Sequence, residues 1–178
     1  MEADLRYPIG KYQRPGSALT AEQRLELIGA IAETPLRLAS ALKDLSADRL
    51  DTPYRPGGWT VRQVVHHLPE SHMNAYVRMK LALTEEEPTI KTYDEARWAE
   101  LSDGKRSPVK PSLELLESLH KRWVLMLKTL APADFSRKFR HPDHEKLMSI
   151  DDALALYAWH GKHHVAHITS LRERNAWK

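Results

Sequence analysis

At 178 residues, 42% hydrophobic and 29% charged, the chain is sized for one domain with a substantial core, and no stretch approaches the roughly 18 uninterrupted apolar residues of a membrane span. A formal charge of +3 is distributed among mixed signs, as in Arg172-Glu173-Arg174, so no basic stripe for nucleic acid emerges. Cysteine is absent, which excludes disulfides, thiolate metal ligands and a protein-borne thiol nucleophile.

The first residues, Met1 to Pro8, have neither the basic start and apolar middle of a secretory signal nor the acid-poor character of a transit peptide, so a cytoplasmic location is expected. Residues 1–19 carry Pro8, Gly10, Pro15 and Gly16 with isolated aromatics Tyr7 and Tyr12, and read as an extended arm laid over the body or over a partner. Thr20-Ala21-Glu22-Gln23 is a capping box. It opens a first helix whose apolar residues, from Leu25 to Leu45, recur at alternating three and four. Pro35 should kink or split that helix, because it lacks the amide hydrogen and its ring strikes the carbonyl four residues back. Asp51 to Gly58 is a loop.

Thr60-Val61-Arg62-Gln63 is a second capping box, predicting a helix to about Leu83 with a kink at Pro69. Its apolar face (Val61, Val64, Leu68, Ala75, Met79, Ala82) is edged by a polar line of His67, Ser71, Asn74 and Arg78, which either borders a pocket or is a partly solvated flank. Glu85 to Pro111 is a long connection with a short helix expected from Tyr93 to Leu101, suited to a crossover or a lid. Ser112 to Leu130 is the third long helix, with Leu116, His120, Trp123, Leu127 and Leu130 on one seam. Ala131 to Met148 is a second irregular connection, and Ser149 with Asp152 caps a last helix to about Arg174. Four amphipathic helices, two long connections and no strand-like alternation of length describe an all-α four-helix bundle, one domain over residues 1–178, whose topology need not be simple up-and-down.

Four of the ten histidines fall between His160 and His167, on that last helix. Helical spacing turns His160 and His164 most directly toward the interior. Histidines four apart sit one turn above another on one face, close enough to reach a single ion. A third ligand must come from another helix, and His67, His72 and His120 are the candidates. Three neutral nitrogens leave a coordination position open, the pattern of catalytic rather than structural sites. The plain alternative is that each is a core or boundary histidine satisfied by a hydrogen bond, and spacing alone does not select the third ligand.

Gly58-Trp59-Thr60-Val61-Arg62-Gln63-Val64-Val65-His66-His67-Leu68, and His160-Gly161-Lys162-His163-His164 followed by Ile168, resemble the two principal motifs of the DinB/YfiT-like family. The likeness is closer to the YfiT branch, because Tyr7-Pro8-Ile9-Gly10, Leu50-Asp51-Thr52-Pro53-Tyr54-Arg55, Ser71-His72-Met73-Asn74 and His141-Pro142-Asp143 also match it, so it covers nearly the whole chain. The resemblance implies a four-helix bundle of unusual connectivity. It also implies a divalent metal held by His67, His160 and His164, zinc first and nickel as the alternative on the same nitrogens. His66 and His163 are adjacent to those positions but are expected to point elsewhere, and His167 lines the pocket or merely packs.

The resemblance further implies a metal-dependent enzyme acting on a small molecule, as a hydrolase or, in a related branch, as a transferase of a low-molecular-weight thiol such as bacillithiol. Homodimers occur in the family, and a homodimer is expected. Both chemistries fit three imidazoles: the metal activates water in one and deprotonates a thiol in the other. Gly161-Lys162-His163 places no acid between the two last histidines, where a zincin would carry its general base, which favours a nucleophile that the metal activates unaided. Hydrolysis is the leading expectation and thiol transfer the second, with a non-catalytic metal-binding bundle third. Arg78, three turns along the polar line from His67, is a candidate to neutralise an anionic substrate, against the plainer reading of an exposed helix arginine. Ser71 beside His67 lacks a nucleophile-elbow motif and is not read as a Ser-His dyad.

Overall fold

The computed structural model describes residues 4–143 and 147–177. The head of the expected arm (residues 1–3), residues 144–146 of the second connection and residue 178 lie outside the described residues. Four long helices form the body: α1 (Ala21–Ala41), α3 (Val61–Thr84), α6 (Lys110–Lys128) and α7 (Ile150–Arg174). Three short ones, α2 (Ala47–Leu50), α4 (Glu95–Ala99) and α5 (Ser102–Arg106), lie in the connections. No helix among the described residues is long and apolar enough to cross a membrane.

Thr20, Thr60 and Ser149 each close a reciprocal capping box with the residue three positions on, so the three expected helix starts are built as read. The third long helix starts earlier, at Lys110 with Pro111 in its first turn, where a proline amide has no helical partner to lose. Neither Pro35 nor Pro69 divides its helix. The second connection holds one feature that alternation could not reveal, a two-residue antiparallel pair with Lys138 opposite Ser149 and Phe139 opposite Met148.

In the bundle α1 packs on α6 and α7, and α3 packs on the same two. Consecutive helices α1 and α3 therefore stand across a diagonal, as do α6 and α7, which departs from up-and-down order and obliges the links between them to cross the bundle ends. The link from α3 to α6 folds α4 and α5 onto α3, and Gln63 of α3 donates to the Ala99 carbonyl. This link and the one after α6 are stitched together by paired bonds between Ile90, Pro88 and Arg140. The N-terminal arm lies on this same chain: Arg14 pairs with Asp152 at 2.6 Å, the Tyr12 hydroxyl donates to the Asp152 carbonyl, and Asp151 accepts from Leu19 and Arg24.

The core is divided. One apolar cluster gathers Ile28, Ile31, Met79, Trp123, Ile150 and Leu154, and a second gathers Leu38, Val61, Leu68, Leu116 and Ile168. Between them, at the same level of all four helices, lies a layer of buried histidines. Gly161 lets α7 reach α1 at that level, since a Cβ there would fall 2.6 Å from Thr34 Oγ1 and 2.9 Å from Thr34 Cγ2. Gly161→Ala should cost about 1–3 kcal/mol by overpacking. Adding Thr34→Ala, which removes both clashing atoms, should recover most of that loss in urea melts; equal stability of Gly161→Ala and the parent would show that the contact is not tight.

Candidate metal centre

His67 comes from the first half of α3, and His160 and His164 from the middle of α7, where those helices pack. The structure brings these three together, with one ring nitrogen of each within 4.8 Å of the others. His67 Nε2 and His160 Nε2 are 3.3 Å apart. Two nitrogens at 2.0–2.1 Å from one tetrahedral ion stand about 3.3 Å apart, so this spacing fits a divalent metal. Burial drives the His67 pKa down to about 4 and holds His160 and His164 well below the usual imidazole value, with the neighbouring imidazoles adding to the effect. All three are therefore neutral bases at neutral pH, the form in which imidazole binds metal.

Hydrogen bonds decide which nitrogen each α7 histidine presents. The amide that would normally bond the Ile31 carbonyl belongs to residue 35, and Pro35 has no amide hydrogen. His120 Nδ1 takes its place, 2.6 Å from that oxygen. A carbonyl only accepts, so His120 carries its proton on Nδ1 and offers Nε2 as an acceptor. His72 Nδ1 then donates to His120 Nε2 at 2.8 Å, and His160 Nδ1 donates to His72 Nε2 at 3.0 Å. His160 is left with an unprotonated Nε2 facing His67. On the other side His167 Nε2 donates to the Arg6 carbonyl at 3.1 Å, so its Nδ1 accepts from His164 Nδ1 at 3.4 Å and frees His164 Nε2 as well. His67 has no such lock; its Nδ1 is buried without a partner, and the ring is held by packing against Trp59 at 4.8 Å between centroids.

The three histidines open onto a cavity of about 660 Å³. Its walls include Tyr54, Trp59, Tyr93 and Tyr157, with Ser71 and Arg78 from the polar line of α3 and Arg6 and Tyr7 from the N-terminal arm. Thr92, Tyr93 and Glu95 show that the first connection forms one wall of the cavity.

The DinB superfamily model matches residues 30–168. The chain belongs to the DinB superfamily. Within it, the chain is 56% identical over 174 residues to a Bacillus mycoides protein (98% of this chain, 99% of that one) provisionally named a metal-dependent hydrolase. It is 49% identical over 174 residues to Bacillus subtilis YfiT, which carries the same provisional name, across 98% of this chain and 97% of that one. The solved structure of YfiT, described as having an unusual four-helix bundle topology, superposes with a TM-score of 0.96 over 99% of this chain and 100% of that one. The diagonal helix order above is this DinB-type bundle.

Of the three candidates for the third position, the structure brings His67 to the cluster and places His72 and His120 in the hydrogen-bonded chain behind His160. His66 faces away, bonded to Ser112 Oγ and the Ser107 carbonyl. His163 stacks on Trp159 and reaches the cavity without joining the cluster, and His167 both lines the cavity and supports His164. Asn74 leaves the expected polar line, donating instead to the Glu70 carbonyl. Arg78 is not an exposed helix arginine: it is 8% exposed and its Nη2 donates to the Lys91 carbonyl. The part that sequence reasoning missed is the supporting role of His72 and His120, signalled only by their places on apolar seams and by Pro35 within α1.

Support of this kind behind a ligating histidine is worth 10–100-fold in metal affinity. His72→Phe keeps a flat ring but cuts the chain, and should weaken zinc binding by about that factor while the folded helix content stays unchanged; unchanged affinity would remove the chain from any role in the site. Acid supplies a second check. Between about pH 6.5 and pH 4 the unfolded chain protonates histidines that burial keeps neutral in the fold, such as His67 and His120. The unfolded state binds the extra protons, so stability of the metal-free protein is full above pH 6.5 and falls through that window by about 1.4 kcal/mol per pH unit for each such histidine. Urea midpoints at pH 7.5 and pH 5 measure it, and equal midpoints would contradict the buried neutral layer.

Proposed function

We propose that this protein is a metal-dependent hydrolase in which His67, His160 and His164 hold a divalent ion, zinc before nickel, and that its substrate is a small molecule taken into the adjoining cavity. The observation that carries the reading is the convergence of neutral imidazoles, two of them with their Nε2 lone pairs set by hydrogen bonds, on an open cavity. Three protein nitrogens leave a position for a reactant, and a divalent ion there lowers the pKa of water toward ~7 and polarises a carbonyl or similar centre. The protein's own groups do the rest. His72 and His120 hold His160 in one tautomer, and His167 does the same for His164. Trp59 packs over His67 and His164, at 4.8 and 6.4 Å between ring centroids, and keeps bulk water from that side. The carboxylates that line the cavity, Glu95 and Asp143, are both exposed, so activation of the nucleophile falls to the ion. The provisional names of the Bacillus relatives support the same reading.

The zinc-loaded protein, assayed on a panel of small esters and amides, should release product without any added thiol. His67→Ala and His164→Ala should each lose both the ion and the turnover, with metal content falling from about one per chain to near none. Full metal content in both variants would refute the site. Consumption that requires a low-molecular-weight thiol would replace hydrolysis with thiol transfer on the same ligands, and inertness under both conditions would leave a metal-binding bundle without catalysis.

A further inference from the structure

Arg78 is a buried cation without a carboxylate. Its side chain is more than nine-tenths buried and lines the cavity, and its Nε has no hydrogen-bond partner. Among the described residues no aspartate or glutamate lies within ion-pair distance of it. An unpaired guanidinium is costly to bury, and the cost is recovered only when something else brings a negative charge to it. The metal centre sharpens the demand. Three neutral nitrogens leave the charge of a divalent ion uncompensated, and Arg78 adds a further positive charge in the same cavity.

Beside the Lys91 carbonyl that accepts from Arg78 Nη2, the side chains around Arg78 carry hydroxyls. Tyr157 interacts with Arg78 and with Ser71, and Tyr93 interacts with Ser71 within the field of Arg78. Burial raises both phenols, Tyr93 to about 12, so each keeps its proton and can donate it. Tyr157 also adjoins the histidine cluster: its ring lies 5.7 Å from that of His160. Ser71 lies one turn of α3 from His67.

We propose that Arg78, with the hydroxyls of Ser71, Tyr93 and Tyr157, forms an anion subsite that receives a carboxylate of the substrate and holds the rest of the molecule against the three histidines. A single guanidinium flanked by neutral hydroxyls matches a planar monoanion, which accepts two parallel hydrogen bonds from arginine. A phosphate dianion would bring a second negative charge that the subsite does not match. The assignment rests on the cavity being the substrate site of the proposed hydrolase and names the class: small, carboxylate-bearing esters or amides, with an apolar or aromatic body against Tyr54 and Trp59.

The test is a binding measurement that needs no turnover, so it separates from failure of the hydrolase reading. Titration calorimetry on the zinc-loaded protein compares benzoate, benzamide and phenylphosphonate as probes. Benzoate should bind more tightly than benzamide. Arg78→Gln should weaken benzoate about tenfold or more, leave benzamide unchanged and leave zinc content unchanged, while Arg78→Lys should retain part of the affinity. Benzoate affinity that survives Arg78→Gln would overturn the assignment, because the carboxylate would then sit on the ion. Equal losses for benzoate and benzamide would overturn it in favour of a packing role for Arg78, and tighter binding of phenylphosphonate than of benzoate would overturn the choice of carboxylate.

Discussion

The hydrogen bond from His120 Nδ1 to the Ile31 carbonyl is the constraint on which the candidate metal centre depends. Pro35 vacates that carbonyl, and a histidine from a different helix answers it at 2.6 Å. Everything downstream follows from the fact that oxygen cannot donate. One proton on His120 orders His72, and His72 orders His160, so a defect in the backbone of α1 decides which nitrogen α7 turns toward His67. The chain passes through α1, α6, α3 and α7 in turn and so touches every long helix of the bundle. Such a network is expensive when one member is missing and rigid when all are present. Here every nitrogen of His72 and His120 is engaged, which is why a layer of imidazoles can divide two apolar clusters without loosening the fold.

The diagonal order of the helices explains where the site lies. Because α3 and α7 are neighbours in space but not in sequence, their contact joins residues about ninety positions apart, such as His67 and His160. The links freed by that order are long, and the protein uses them as walls. Tyr93 and Glu95 on one link and His141 on the next line the cavity, and the two links are tied at Ile90 and Arg140. The arm then closes a further side through Tyr7 and through the Arg6 carbonyl that supports His167. Every peripheral segment thus has a task at the centre. Changes in the arm or the links should be felt in ligand geometry rather than only in stability.

Much of this is legible in the sequence, because it is written in local chemistry. The capping boxes at Thr20, Thr60 and Ser149 mark helix starts, since a hydroxyl and an amide or carboxylate three residues on satisfy each other wherever they occur. The spacing of His160 and His164 states their common face. What the sequence leaves open depends on partners far along the chain. Whether His67, His72 or His120 completes the triad turns on which helices are neighbours and on rotation by a fraction of a turn, and periodicity orders neither. The fate of Pro35 is of the same kind: its effect on the helix can be anticipated, but the histidine that meets the freed carbonyl lies 89 positions away. The reading of Arg78 as an exposed helix arginine fails because its burial comes from the first connection folding back over α3, and the Lys91 carbonyl that meets it carries no signature in sequence.

The charge arrangement of the cavity narrows the chemistry further. Metal centres with carboxylate ligands cancel part of the ion's charge within the protein. A divalent ion on His67, His160 and His164 would not be compensated in this way, since all three nitrogens are neutral and the carboxylates lining the cavity, Glu95 and Asp143, are exposed. An ion held this way would keep its full pull on whatever occupies the remaining position, which would favour ionised nucleophiles and anionic transition states over neutral ground states. Arg78, buried and lining the same cavity, would add a further positive charge to that field. The same field would penalise a cationic ligand in the cavity. Selectivity by charge is therefore built into the donor set itself, before any shape contributed by Trp59, Tyr54 or Tyr93 is considered.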